Sequence, residues 1–215
     1  MWWLRFMPLP LGLVVGLLPL EVAAGVATEA YLTGKAQIQY PSNDHPSCGV
    51  YIKGVRKDFA DEDTVRVFDV SVMVLSTTGL VKAGVMEATT ESIVNNRAPS
   101  QAIKPESFWV RAVGGGKGKT NIVVGPLQAE SEGYLMYGTS IFSAIEFLDA
   151  VMFGRTVQIA YRLPGDSIET LNYGSVEFES VQGQQLAECL GDLAKSMEDD
   201  LAAEDSKDPK VFPGR

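Results

Sequence analysis

The apolar positions of this chain change their spacing three times, and each change predicts a different kind of structure. The first stretch is an unbroken apolar run from Leu11 to Leu20, preceded by ten residues in which Arg5 is the only charge. Glu21 closes the run, and the small residues Val22-Ala23-Ala24-Gly25-Val26-Ala27 follow. A weakly basic start, a short apolar core and a small-residue exit predict a cleaved secretory signal over residues 1–24. Cleavage after Ala24 leaves Val22 at the third position before the cut, and cleavage after Ala27 fits nearly as well. An uncleaved anchor is the rival reading, because a spanning helix needs about 20 apolar residues. Pro8, Pro10 and Pro19 interrupt the segment, however, and no cluster of Lys or Arg follows it. Stable membrane insertion is therefore not expected once the signal is removed.

Period-two alternation dominates the second stretch. Gly34–Tyr40 alternates weakly, Pro41–Ser47 is dense in turn formers, and Cys48–Val55 alternates again. Asp58–Asp63 is an acidic connector. The clearest strand is Thr64–Ser76, with Phe68, Val70, Val72 and Val74 on one face. Val65 and Val67 have the opposite parity, which suggests a bulge or a change of face near Phe68. Thr77-Thr78-Gly79 turns the chain into Leu80–Ala88, a hairpin. Glu91–Pro105 is polar, contains two prolines and reads as irregular. A strand from Ser107 returns as Thr120–Gly125 across a glycine-lysine loop, and Tyr134–Tyr137 forms another strand.

Helical spacing then takes over at Thr139–Phe153. Ile141, Ile145, Leu148 and Met152 form a stripe widened by Phe142 and Val151; Thr139 or Ser140 can cap its start, and Gly154 stands where a helix ends. Arg155–Leu163 and Ile168–Ser180 form a hairpin around Pro164-Gly165-Asp166-Ser167. A second helix begins near Gln184, with Leu186, Leu190, Leu193 and Met197 on one face and Cys189 beside them. The pattern predicts an α+β protein, a mostly antiparallel sheet or sandwich of eight or nine strands with two helices in the C-terminal half. Residues 25–203 form one domain, and 204–215 form a mobile acidic tail. No internal repeat occurs.

Composition narrows the function classes. The formal net charge is −9, spread along the chain rather than gathered in one block. Nucleic-acid binding depends on cations that meet phosphates, so this balance opposes it, and it allows a basic partner. The chain has no Asn-x-Ser/Thr acceptor, which favours a periplasmic over a eukaryotic secreted protein. Cys48 and Cys189 are the two cysteines, and an even count in an oxidising compartment predicts a disulfide between them. Closing so long a loop contributes about 4–5 kcal/mol in the chain-entropy model; the alternative is two separate buried thiols.

Catalytic patterns mostly fail on inspection. Gly114–Thr120 ends like a phosphate-binding loop, but the required first glycine is Val113, and a strand rather than a helix follows Thr120. The bland reading is a solvated hairpin loop. The sharper one is a partner-contact loop in which Gly115, Lys117 and Lys119 meet an anionic group. His45 is the single histidine. A Ser-His-Asp triad or a Cys-His pair would have to use it, and it reads better as a surface loop residue. No metal-ligand spacing is present, and Asp58, Asp61, Glu62 and Asp63 do not follow a calcium-loop pattern. No cofactor motif occurs. Trp109, Tyr134, Tyr137, Phe142, Phe147, Phe153 and Tyr161 are read mostly as core.

Two functional classes remain. The first is a non-catalytic exported interaction protein, periplasmic or secreted: an envelope assembly accessory, or an inhibitor or immunity protein that caps a basic partner. The second is a small hydrolase with carboxylate or Ser-Lys chemistry, whose partners meet only in space.

Overall fold

The computed structural model describes residues 27–40, 45–95, 97, 102–116 and 118–207. The predicted signal, Lys117 and residues 208–215 of the predicted tail lie outside the described residues. Nine strands are present: β1 (Ala27–Gln39), β2 (Ser47–Arg56), β3 (Thr64–Val74), β4 (Gly79–Thr89), β5 (Ser107–Ala112), β6 (Val124–Leu127), β7 (Leu135–Thr139), β8 (Thr156–Arg162) and β9 (Thr170–Glu177). Three α-helices accompany them: α1 (Thr90–Val94), α2 (Ile141–Met152) and α3 (Ser180–Lys207). The two C-terminal helices are where the periodicity predicts them. The acidic connector becomes one 3-10 turn, Phe59–Asp61.

All nine strands belong to one sheet, in the order β5-β8-β9-β1-β2-β3-β4-β7-β6, so the chain does not build a sandwich from two separate sheets. The sheet is mixed, because β1 runs parallel to β9 while pairing antiparallel with β2. It is also curled. Phe68 on β3 and Tyr161 on β8 have three strands between them in the order, yet their ring centroids are 6.0 Å apart. Strand twist rotates each strand against its neighbour, and over nine strands the inner faces come to meet. Phe68, Val70, Val72, Val50, Ile52, Val157, Ile159 and Tyr161 pack inside that curl, all fully buried.

The two ends of the sheet are joined by a polar chain. The Val110 N–H donates to Thr120 Oγ1 at 3.0 Å, Thr120 Oγ1 and Tyr137 Oη are 3.0 Å apart, and Tyr137 Oη donates to the Phe108 carbonyl at 3.0 Å. Thr120 also donates its own N–H to the Val110 carbonyl at 2.8 Å. Phe108 and Val110 lie on edge strand β5, and Tyr137 lies on β7 beside the opposite edge. The expected hairpin between β5 and residues 120–125 therefore does not form. Thr120 touches β5 once, and the chain then crosses to pair β6 with β7. The β-branched run Ile122-Val123-Val124 favours a strand, but such a run does not say which strand is the neighbour.

No bulge occurs near Phe68. The register of β3 is continuous from Thr64↔Thr89 to Val74↔Gly79. Val65 and Val67 have the other parity because the outer face is covered there too. Val65 is buried, as are its cross-strand partner Ala88 and its neighbour Met86, and Ile93 of α1 shares a groove with Val67, Met86 and Ala88. α1 itself is started by Thr89, whose hydroxyl accepts the Ser92 N–H at 3.1 Å.

α2 also turns a different face inward than its spacing predicts. Ala144, Phe147, Leu148 and Val151 are buried, whereas Phe142 is 63% and Ile145 40% exposed. A rotation of about one residue separates the two stripes, and tertiary contact decides between them. Ser140 occupies the cap position without a side-chain hydrogen bond, and Gly154 ends the helix in the left-handed region at φ 62°. α3 packs along β1 and β2 with Leu186, Cys189 and Leu193 buried. Cys48 and Cys189 are joined, with their Cα atoms 5.8 Å apart, so the helix is covalently stapled to β2. Where β1 leaves β9 after Thr33, the Ala36 N–H donates to Gln182 Oε1 of α3 at 2.7 Å.

Candidate functional site

Residues 113–124 hold both the predicted contact loop and the largest group of exposed apolar side chains. The loop is tied down more than its composition suggests. The Gly116 N–H donates to Glu146 Oε1 of α2 at 2.6 Å, and a Cβ added at Gly115 would lie 2.7 Å from the same carboxyl group. Lys119 does not simply project into water. Its ammonium stands 5.4 Å from the Trp109 ring centroid, and the Arg111 guanidinium stands 5.6 Å from it. Cations favour the negative face of an indole. The indole N–H in turn donates to Glu169 Oε2 at 3.1 Å. Gly115 and Lys119 thus sit on two different anchors, α2 and β5, and no phosphate-cradling geometry brings them together.

Past the buried Thr120 the chain emerges with Ile122, Val123 and Val124 exposed by 53%, 65% and 55%. Val123 and Val124 line a groove of about 630 Å³ with Leu75, Leu80, Leu127 and Phe142, and none of the described residues that line it is charged. Four elements supply the walls: the β3–β4 turn, edge strand β6 with the residue before it, the end of β7 and the first turn of α2. Each apolar wall has a local cause. α2 buries its other stripe, which leaves Phe142 exposed, and β6 is the last strand of the sheet among the described residues. Pro126 removes one N–H from that edge, which discourages strand addition. Contiguous exposed apolar surface of this kind is shared by protein-binding sites, ligand grooves and membrane contacts.

Sequence reasoning missed the groove because Phe142, Val123 and Val124 carry the same pattern whether they face a core or a partner. Of the seven aromatic residues singled out, Tyr137, Phe147 and Tyr161 are buried, Trp109 and Tyr134 are half-buried, and Phe142 and Phe153 are exposed.

His45 is not a free loop residue. Its Nδ1 lies 2.7 Å from Ser196 Oγ and its Nε2 lies 2.9 Å from Asp200 Oδ2, both on α3. The three residue types of a catalytic triad are together, but the surroundings of one are not. Ser196 lies in mid-helix, where neighbouring N–H groups are spent on helical bonds and none is left to stabilise an oxyanion. Its hydroxyl donates to the Leu193 carbonyl at 3.0 Å, and Asp200 is 69% exposed. The arrangement clamps the segment before Cys48 onto α3, next to the disulfide.

Two acids of the acidic connector are ion-paired. Arg56 reaches Asp58 at 2.7 Å and Glu62 at 2.9 Å, and this guanidinium holds the Asp58 carboxyl below its ordinary pKa. Among the described residues no group of three or more His, Cys, Asp or Glu side chains could hold a metal ion, and no helix is long and apolar enough to cross a membrane. No known protein family, curated protein or solved structure matches the chain.

Proposed function

We propose that the folded domain is a non-catalytic, exported protein-interaction module, and that it docks a basic partner protein through the groove formed by β6, α2 and the β3–β4 turn. The observation that carries this reading is the contiguous exposure of Val123, Val124 and Phe142 around a groove with no charged lining among the described residues. The partner is assigned a basic surface by charge complementarity, because the chain carries a net charge of −9. Long-range attraction then steers the encounter, and an apolar anchor in the groove holds it. An inhibitor, an immunity protein or an envelope assembly accessory would all work in this way. Export is supported by the N-terminal signal pattern together with the Cys48–Cys189 bond, which persists in oxidising compartments. No cofactor enters the proposal.

The test is photo-crosslinking in the exporting cell, with a photoreactive residue at Val123 or Phe142 and a control at Val181, which is 58% exposed on α3. The expected result is one basic exported protein captured from the two groove positions only, and lost when Phe142→Asp is introduced with the crosslinker at Val123. Equal capture from Val181, capture of a second copy of this chain, or no capture by a folded protein would each overturn the proposal.

A further inference from the structure

A second site lies on the outer face of the sheet, built from residues the groove does not use. β3 points Phe68 and Val70 into the core, so Asp69 between them must point outward. It is nonetheless only 6% exposed. Tyr134 covers it from the segment before β7 and donates its hydroxyl to Asp69 Oδ2 at 3.2 Å. The second oxygen, Oδ1, is buried and has no hydrogen-bond partner among the described residues. Tyr51 of β2 stands nearby, and its phenol is pushed up by burial, then by a hydrogen bond with the Asp69 carboxyl group and by that group's charge, an interaction that does not reach Oδ1. Together with Gln37, Ser71, Lys82 and Ser131, these residues line a pocket of about 200 Å³.

A buried carboxylate oxygen without a donor is costly, on the order of 1–3 kcal/mol or more. The protein has two nearby ammonium groups that could serve and uses neither. Lys53 is the cross-strand partner of Asp69, but its ammonium lies 5.9 Å from the Tyr51 ring centroid. Lys82 lies over the Tyr134 ring at 5.0 Å and pairs with Glu130 at 3.7 Å, a residue whose side chain is 94% exposed. Neither forms an ion pair with Asp69 within 4.0 Å. What the pocket offers a visitor is one free carboxylate oxygen, flanked by neutral oxygens of Tyr51, Gln37, Ser71 and Ser131 and walled by two phenol rings. Ser71 already donates to Gln37 Oε1 at 2.5 Å, so that amide is held in place.

We infer that this pocket binds a primary ammonium group, inserted to donate to Asp69 Oδ1. An ammonium is favoured over a guanidinium for a geometric reason. A guanidinium gains most from a two-pronged contact with both carboxylate oxygens, and Tyr134 occupies one of them. An ammonium is a compact charge with three donors, and it suits one carboxylate oxygen among several neutral acceptors. The ammonium can come from a lysine side chain of a protein or from a free small amine.

The test is titration of the full disulfide-bonded protein with butylammonium, with N-acetyl-lysine amide and with N-acetyl-arginine amide, read by NMR on the ring signals of Tyr51 and Tyr134. Binding of both ammonium probes, at least about tenfold tighter than the arginine probe, is expected. Preference for the lysine amide would point to a protein side chain, and preference for butylammonium to a free amine. Asp69→Asn should abolish the response. Lys82→Met removes a competing positive charge and should tighten binding by several fold, which keeps the inference testable if Asp69→Asn does not fold. Equal binding of the arginine probe, unchanged binding in Asp69→Asn, or weaker binding in Lys82→Met would overturn it. Because the groove residues are untouched, loss of crosslinking there leaves this outcome unaffected.

Discussion

Removing one oxygen atom, by Tyr137→Phe, should loosen the whole curl of the sheet. Tyr137 is fully buried, and its ring fills the same space as phenylalanine, so packing is conserved. What is lost is the middle of a relay. Tyr137 Oη donates to the Phe108 carbonyl, so its 3.0 Å contact with Thr120 must be donated by Thr120, which in turn accepts from the Val110 N–H. The substitution leaves the Phe108 carbonyl without its donor and the Thr120 hydroxyl without its acceptor. Each orphaned buried group costs about 1–3 kcal/mol, and partial relaxation brings the pair to about 2–4 kcal/mol. For a domain of this size that is about 4–16 °C in Tm. Equilibrium urea unfolding of the oxidised protein measures it directly. A fall in midpoint at constant m-value isolates stability from a change in compactness. Tyr173→Phe, at a residue 37% exposed, is the control and should stay within about 0.5 kcal/mol of the parent. If Tyr137→Phe also stays within about 0.5 kcal/mol, the relay does not hold the sheet edges together and the account of closure given above is wrong.

Alkaline pH should act on the same core. Burial pushes the phenols of Tyr137 and Tyr161 up to about 12 from 10.0. The folded chain keeps both protonated where the unfolded chain ionises them, so their contribution is complete below pH 10 and is lost as pH rises toward 12. The expected slope is about 1.4 kcal/mol per pH unit for each phenol, and Tyr137→Phe removes one phenol's share; a urea midpoint that stays level to pH 12 would contradict it. Replacing both members of the Cys48–Cys189 pair by alanine frees the ends of a 141-residue separation. It should cost about 2–5 kcal/mol, seen as a lower guanidinium midpoint, and an unchanged midpoint would mean that α3 needs no staple. Gly54→Ala should destabilise by about 1–3 kcal/mol, read by thermal unfolding. Gly54 lies opposite Phe68 in the ladder, and a Cβ there would come within 2.2 Å of the Phe68 ring. A variant as stable as the parent would show that Phe68 has room to move.

Local pattern was enough for most elements. β3 and β4, the β8–β9 hairpin, α2 and α3 occupy the segments where β-branched alternation or helical spacing predicts them, because those signals depend on neighbours within one strand or one turn. The Cys48–Cys189 bond was also legible, since two cysteines permit one pairing. Legibility failed wherever two elements had to choose each other. Residues 120–125 are β-branched enough to read as the strand that returns along β5, yet only Thr120 bonds to β5 and the strand that forms from Val124 pairs with β7. Val65 and Val67 imitate a bulge because α1 covers a second face. The stripe on α2 rotates because the interior of the curl, rather than the helix, selects which residues are covered.

The sites follow the same division. Lys119 and Gly115 were visible as an unusual loop, but their anchors, Trp109 and Glu146, are ten and thirty-one residues away. His45 meets Ser196 and Asp200 across more than 150 residues. Asp69 carries no signal in the sequence, since a single acid in a strand normally faces water. By itself the sequence determined the elements, the acidic balance, the export signal pattern and the one available crosslink, all of which follow from short-range sterics, hydrophobic spacing and arithmetic. The strand order, the inward face of each helix, the groove and the covered carboxylate were decided only when twist curled nine strands far enough for distant side chains to meet.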